Sequence, residues 1–168
     1  MKNTLRAFQR SVAAITFLAG SLMHAAEHAK HPVPLNEEET TIAWKALKAK
    51  HYQDAVVSAD KVIRQFQARA ESTQSDLQNK SAPEPSTTPG RAETKEILSR
   101  GPLNDVATCF YIKGQALDAL ADTAGAKEAY QGACKLTYAR TWDPHGWFWS
   151  ASQKSCELVG NFPKGRDR

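Results

Sequence analysis

Apolar residues recur with helical spacing over much of this chain, and that pattern restricts its fold more than any other feature. One stripe follows the i, i+4, i+7 rule of a helix face at Ala55, Ala59, Val62, Phe66 and Ala70. A second has similar spacing at Val106, Phe110, Gly114, Leu117 and Ala121. No stretch alternates convincingly as a strand does. The sequence therefore predicts an all-α protein built from antiparallel helix pairs.

Local signals predict where the helices begin and end. Asn36 and Glu39 have the spacing of a capping box, which predicts a first helix over 37–49. A second helix is expected from Gln53 to about Gln78.

The later helices carry similar signals. Asn104 is expected to open a third helix, and residues 126–140 to form a fourth. A last helix is expected to start at Ser150, with Gln153 as its capping-box partner, and to stop at Gly160. Between the second and third helices, residues 80–92 hold three prolines and a glycine. That composition predicts a flexible loop.

The first 25 residues are typical of a secretory signal peptide. Lys2, Arg6 and Arg10 precede an uncharged apolar run that ends in small residues. Cleavage is expected after Ala25 or Ala26. The alternative is an uncleaved anchor, but the run is shorter than the ~20 residues of a spanning helix. The expected location is periplasmic or secreted, with no membrane attachment after cleavage.

Charge argues against a nucleic-acid partner. The chain has 22 Lys and Arg against 18 Asp and Glu, and the leader holds three of the basic residues and no acidic one. The remainder has 19 basic against 18 acidic residues. A nucleic-acid-binding protein usually keeps a basic face, and the short basic tail at 164–168 is explained as a solvated end.

The second helix pair resembles a known repeat. Its first helix has Phe110 followed four positions later by Gly114. Its second helix has a small–aromatic–small series at Ala126, Tyr130 and Ala133. This pattern resembles the tetratricopeptide repeat, a helix–turn–helix unit of about 34 residues. A plain helical bundle with an accidental match is the alternative.

The first helix pair resembles the same unit less fully. It departs at Glu39, where an aromatic residue is expected, and Trp44 is displaced. Its turn and second helix match at Tyr52, Ala55, Ala59 and Val62. The resemblance thus implies α-solenoid hairpins at 34–79 and 104–139, then an aromatic turn and capping helix at 140–160.

The resemblance also implies a function. A non-catalytic module of this kind would bind a peptide or protein partner on the concave face of its first helices. With two units the groove is short, which also suggests self-association. By position, that face would include Thr40, Trp44, Lys48, Tyr111, Gln115 and Asp118.

An aromatic segment at 142–149 raises a second hypothesis. Residues 143–146, Asp-Pro-His-Gly, match a type I turn, and aromatic residues flank it. They either cover the end of the helical array or form a ligand platform of Trp142, Trp147 and Trp149. The platform would suit an envelope enzyme, or its accessory subunit, that acts on cell-wall or polysaccharide material. An acid–base pair of Asp143 and His145 is the weaker catalytic alternative.

The cysteines fit an oxidising compartment. In the repeat pattern, Cys134 points toward the next helix, which carries Cys156. We therefore expect a Cys134–Cys156 disulfide with Cys109 free, and three reduced thiols as the alternative. No spacing indicates a metal or cofactor site. His28 would be the third residue after cleavage at Ala25, as in amino-terminal copper sites, but a solvated tail explains it better.

The leader generates the first prediction. Export should remove 25 or 26 residues, because signal peptidase cuts after the small residues that follow the apolar run. Intact-mass measurement of the envelope or secreted fraction checks this. Full-length chain recovered from the cytoplasm would contradict it.

Overall fold

The computed structural model describes residues 34–161, which form six helices and one β-hairpin. The leader, His28 and residues 162–168 lie outside the described residues. The helices in chain order are α1 (Leu35–Lys48), α2 (Tyr52–Asn79), α3 (Arg91–Ser99), α4 (Gly101–Ala119), α5 (Thr123–Cys134) and α6 (Ala151–Asn161). The strands β1 (Thr141–Asp143) and β2 (Trp147–Trp149) lie between α5 and α6.

Helix α4 lies at the centre of this part of the chain. It packs against α1, α2, α5 and α6, while α1 also packs on α2 and α5 on α6. The mostly helical class is therefore confirmed. None of the helices in residues 34–161 combines the length and the apolar character that crossing a membrane requires.

Small residues let these helices approach closely. A Cβ atom at Gly114 on α4 would lie 2.5 Å from the ring of Tyr130 on α5, and Tyr130 is almost fully buried. Gly132 on α5 makes the reciprocal contact with Phe110 on α4, where a Cβ would lie 2.7 Å from the ring. Alanines fill most other contact positions: Ala43, Ala55, Ala59, Ala107, Ala116, Ala126 and Ala133 are all buried.

The predicted capping box at Asn36 is wrong. Helix α1 begins at Leu35, one residue before Asn36, and Asn36 has no capping role. The carbonyl of Pro34 accepts the backbone N–H groups of Glu37 and Glu38. The amide of Asn36 instead donates to Asp105 on α4 at 2.5 Å. A hydrogen bond between α1 and α4 therefore replaces the predicted capping hydrogen bond within α1.

The predicted start of the third helix is also wrong. Asn104 lies inside α4, and its side chain is used between elements rather than at a helix end. Its amide donates to the carbonyl of Ile97 on α3 at 2.7 Å. Its oxygen accepts the backbone N–H of Arg140 at 3.0 Å. At the last helix the N-cap signal holds, because the backbone N–H of Gln153 donates to the hydroxyl of Ser150 at 3.1 Å.

Residues 141–149 form a short β-hairpin, although the sequence predicted no strand there. The predicted fourth helix ends at Cys134, and the aromatic segment forms an antiparallel hairpin in which Trp142 pairs with Phe148. Its turn is closed by the backbone N–H of Gly146, which donates to the carbonyl of Asp143 at 2.9 Å. Gly146 has φ +103°, a conformation that side chains disfavour. Aromatic residues on both sides of a turn signal are typical of a hairpin, so a local signal was present.

Residues 81–90 contain neither helix nor strand, and α3 begins at Arg91. Their predicted flexibility stays a prediction, but hydrogen bonds from Tyr138 and Arg140 hold the segment against the rest of the protein. The hydroxyl of Tyr138 donates to the carbonyl of Ala82 at 2.6 Å. The guanidinium of Arg140 donates to the carbonyl of Pro85, which is buried. Part of the predicted flexible loop is therefore packed against the rest of the protein.

The tight α4–α5 contact generates the second prediction. Replacing Gly114 with alanine should lower the free energy of unfolding by about 1–3 kcal/mol, because the new methyl group would overlap the Tyr130 ring. On an open helix the same change would be favourable. Urea denaturation measures the difference.

Gly160→Ala is the matched control, since that glycine is helical and nothing lies within 4 Å of its added Cβ. It should be neutral or slightly stabilising. Equal effects of the two substitutions would contradict the packing argument.

Candidate functional site

An aromatic cluster joins the first helices to the hairpin. Trp44 on α1 and Tyr111 on α4 have ring centroids 6.2 Å apart. Trp149 on β2 lies 6.3 Å from Trp44 and 5.2 Å from Tyr111, with its ring steeply inclined to both. Tyr130 on α5 extends the cluster at 6.2 Å from Tyr111. The hairpin thus places its own tryptophan against the two helices whose shared face was expected to receive a partner.

Burial corrects two of the residues predicted to bind a partner. Thr40 is buried between α1 and α4, where its hydroxyl donates to the carbonyl of Asn36 at 2.6 Å and lies 3.3 Å from Cys109 Sγ. Tyr111 is buried within the aromatic cluster, and burial raises its pKa. Neither side chain has surface to offer a partner, because neighbouring elements already cover it.

The other predicted residues differ in their exposure. Gln115 is half-buried, and its amide donates to the Tyr111 hydroxyl at 2.9 Å. Trp44 is half-buried, and its exposed part borders the cluster. Lys48 and Asp118 are exposed. The structure therefore brings Trp44, Tyr111 and Gln115 into one cluster, while the charged residues on α1 and α4 are exposed.

The hairpin divides its aromatic residues between two roles. Phe148 is 3% exposed, whereas Trp142 and Trp147 are 51% and 49% exposed. Trp142 shares a face with Phe148, and their rings are 4.9 Å apart. Trp147 shares the opposite face with Asp143. Trp149 also lies on that face and packs against the hydrophobic core, so Trp142 is on the other face from the remaining two predicted platform tryptophans.

Asp143 and His145 lie together at the hairpin turn. The backbone N–H of His145 donates to the Asp143 carboxylate at 2.8 Å, and its ring Nδ1 lies 2.7 Å from the same oxygen. These contacts, led by the backbone hydrogen bond, lower the pKa of Asp143, and the charge of Lys48 acts in the same direction. The His145 ring also stacks on Trp147, with centroids 5.5 Å apart.

The pair could exchange a proton, and the side chain of His145 is 79% exposed to solvent. Within residues 34–161, no group of His, Cys, Asp and Glu side chains could hold a metal ion. The stacked imidazole and carboxylate instead give the exposed Trp147 a polar edge.

A disulfide fastens the hairpin at its base. Cys134 at the end of α5 is bonded to Cys156 on α6, with Cα atoms 5.1 Å apart. The hydroxyl of Ser152 donates to the carbonyl of Cys134 at 2.9 Å and supports the same junction. Cys109 is free and buried on α4. Burial raises its pKa to about 12, so it stays an unreactive thiol at neutral pH.

Asp105 was not singled out by the sequence. It lies on α4 facing the first turn of α1, and burial raises its pKa from 3.8 to about 6, while the hydrogen bond from Asn36 opposes that rise. These two residues are 69 positions apart. No local sequence pattern connects them, and the sequence around Asn36 predicted a helix cap instead of this contact.

The buried carboxyl of Asp105 generates the third prediction. The pKa of Asp105 is higher in the folded protein than in the unfolded chain. As pH rises from about 4 through 6, the unfolded chain therefore loses this proton first, and the free energy of unfolding falls. Asp105→Asn should remove that loss and increase the free energy of unfolding at pH 7 by roughly 3 kcal/mol. At pH 4 the gain should be near zero.

Urea denaturation at both pH values checks this, with exposed Asp118→Asn on the same helix as the control. At each pH, the free energy of unfolding of the variant is compared with that of the unmodified protein. A difference that does not change with pH would refute the assignment.

Comparisons with known proteins return no relative. No family model matches the chain, and neither a curated protein nor a solved structure matches it. Its function therefore has to be argued from its own residues.

Proposed function

We propose that this chain is an exported, non-catalytic protein-interaction module of the cell envelope, built from helix hairpins of the tetratricopeptide-repeat type. The packing order supports the hairpin assignment: α1 packs on α2, α4 on α5, and α4 also lies against both helices of the first pair. The contact of Gly114 with Tyr130 supports it further, since small and aromatic residues are expected at these positions.

The proposed partner surface is centred on the hairpin. Because Thr40 and Tyr111 are buried, only the edge of the expected groove between α1 and α4, at Trp44, is open to a partner. Lys48 on α1 and Asp118 on α4 are exposed. Beside that edge, Lys48 is close enough for its charge to act on Asp143 at the hairpin turn. A partner would therefore contact α1 and the hairpin together.

The half exposure of Trp142 and Trp147 is the observation that carries this proposal. Tryptophan is strongly enriched among residues that dominate binding energy. Cross-strand pairing and the Cys134–Cys156 bond already order the hairpin, which lowers the entropy lost on binding. The mixture of aromatic surface with Asp143 and Lys48 suits a peptide that carries both apolar and charged side chains.

A second candidate is binding of cell-wall or polysaccharide material, as an enzyme's accessory subunit. The same two exposed tryptophans favour it, since an indole face can lie against the apolar face of a sugar ring. Against it, Trp142 and Trp147 occupy opposite faces of the hairpin, so one flat sugar chain cannot cover both.

The fourth prediction tests both candidates. The Trp142→Ala and Trp147→Ala double variant should weaken partner binding by at least about 30-fold, because truncating a central anchor costs about 2 kcal/mol or more. A photo-crosslinking residue at His145 would capture the partner in the envelope. Affinity for that partner is then measured by calorimetry.

Leu98→Ala is the control, since Leu98 is exposed to a similar degree on α3. It should bind as the unmodified protein does. Quenching of tryptophan fluorescence by wall-derived oligosaccharides, lost in the double variant, would favour the second candidate. Unchanged binding of every ligand to the double variant would refute both.

A further inference from the structure

The outer face of the α1–α2 hairpin is apolar and uncovered. Ile42 on α1 and Val57 on α2 are 42% and 54% exposed. Between them runs a groove of about 520 Å³ whose floor includes Ala46 and Ala49. No other helix or strand within residues 34–161 forms part of its lining. This face lies on the opposite side of α1 from Trp44, so it is separate from the surface proposed for the partner.

Two opposite charges border this groove. Lys45 on α1 and Asp54 on α2 both line it and are both exposed. Neither forms an ion pair within the described part of the chain. Helices α1 and α2 run antiparallel on either side of a short connection, so residues equally far from it lie side by side. Ile42 is therefore level with Val57, and Lys45 with Asp54.

Such a face is complementary to a second copy of itself. A two-fold axis parallel to the helices would place α1 of one copy over α2 of the other. Ile42 would then lie over Val57 of the second copy, and Lys45 over Asp54 of the second copy. The symmetry repeats each contact, which gives an apolar centre between two pairs of opposite charge.

The same register continues farther from the connection. Glu38 on α1 is exposed, and the axis would bring it over Lys61 of the second copy. Lys61 now forms an ion pair with Glu39 of its own chain at 3.3 Å, but its side chain is 52% exposed and can serve both carboxylates. Charges and apolar residues thus match along the length of the face.

We propose that this face is the interface of a symmetric homodimer. Exposed apolar surface of this kind marks interaction sites, and the charge pattern selects a second copy over an unrelated partner. Because Trp142 and Trp147 take no part, the dimer would present two copies of the partner surface. Its test is therefore independent of the proposed function.

The fifth prediction uses charge reversal. Sedimentation velocity over a range of concentrations should show a reversible monomer–dimer equilibrium. In Lys45→Glu, the introduced glutamate faces Asp54 of the second copy. In Asp54→Lys, the introduced lysine faces Lys45 of the second copy. Each change should weaken association by about ten- to a hundredfold, because each introduces two like-charge contacts.

Mixing the two variants should restore dimerisation. In a mixed pair, the introduced glutamate faces the introduced lysine, and the unmodified Asp54 faces the unmodified Lys45. An effect within one chain cannot be repaired by mixing. Lys95→Glu, at an exposed lysine on α3, is the control and should leave association unchanged.

Circular dichroism would verify that each variant is folded. A monomer at every concentration would overturn the proposal, and would mean that another protein or other residues of the same chain cover the face. Equal weakening by Lys95→Glu, or failure of the mixture to recover, would also overturn it.

Discussion

The close approach of α4 to its neighbours is the constraint on which the rest of the structure depends. Gly114 admits the Tyr130 ring and Gly132 admits the Phe110 ring, so α4 and α5 interlock from both sides. A larger side chain at either glycine would separate the two helices. That separation would move Tyr130, whose ring contacts Tyr111. The Tyr111 ring in turn contacts Trp149 on the hairpin. Helix spacing therefore sets the position of the hairpin.

The hairpin carries both buried and exposed aromatic residues. Phe148 is buried, and Trp149 packs against the hydrophobic core as a partly buried residue. Trp142 and Trp147 remain half exposed, although each shares a face of the hairpin with a more buried aromatic residue, Phe148 and Trp149 respectively. The disulfide at its base limits how far the segment can move.

Buried polar groups supply specificity within this small core. Asn36 with Asp105 fixes α1 against α4, and Lys113 with Asp60 joins α4 to α2 at 2.7 Å. Arg140 is buried near the loop, where its guanidinium donates to the carbonyls of Thr137 and Ala139 as well as to that of Pro85. A buried carboxyl such as Asp105 costs stability at neutral pH. Tight alanine and glycine contacts offset that cost across the interfaces.

The sequence by itself determined the helices whose apolar stripes are long, because helical periodicity depends only on neighbouring residues. It also indicated the turn at residues 143–146, which follows from the short spacing of Asp143, Pro144 and Gly146. Tertiary structure decided what depends on residues far apart. Asn36 left its expected capping role for a bond to Asp105, and Thr40 and Tyr111 became buried when α4 and Trp149 covered them. Local sequence patterns do not predict such contacts, because these contacts form only after the helices have packed together.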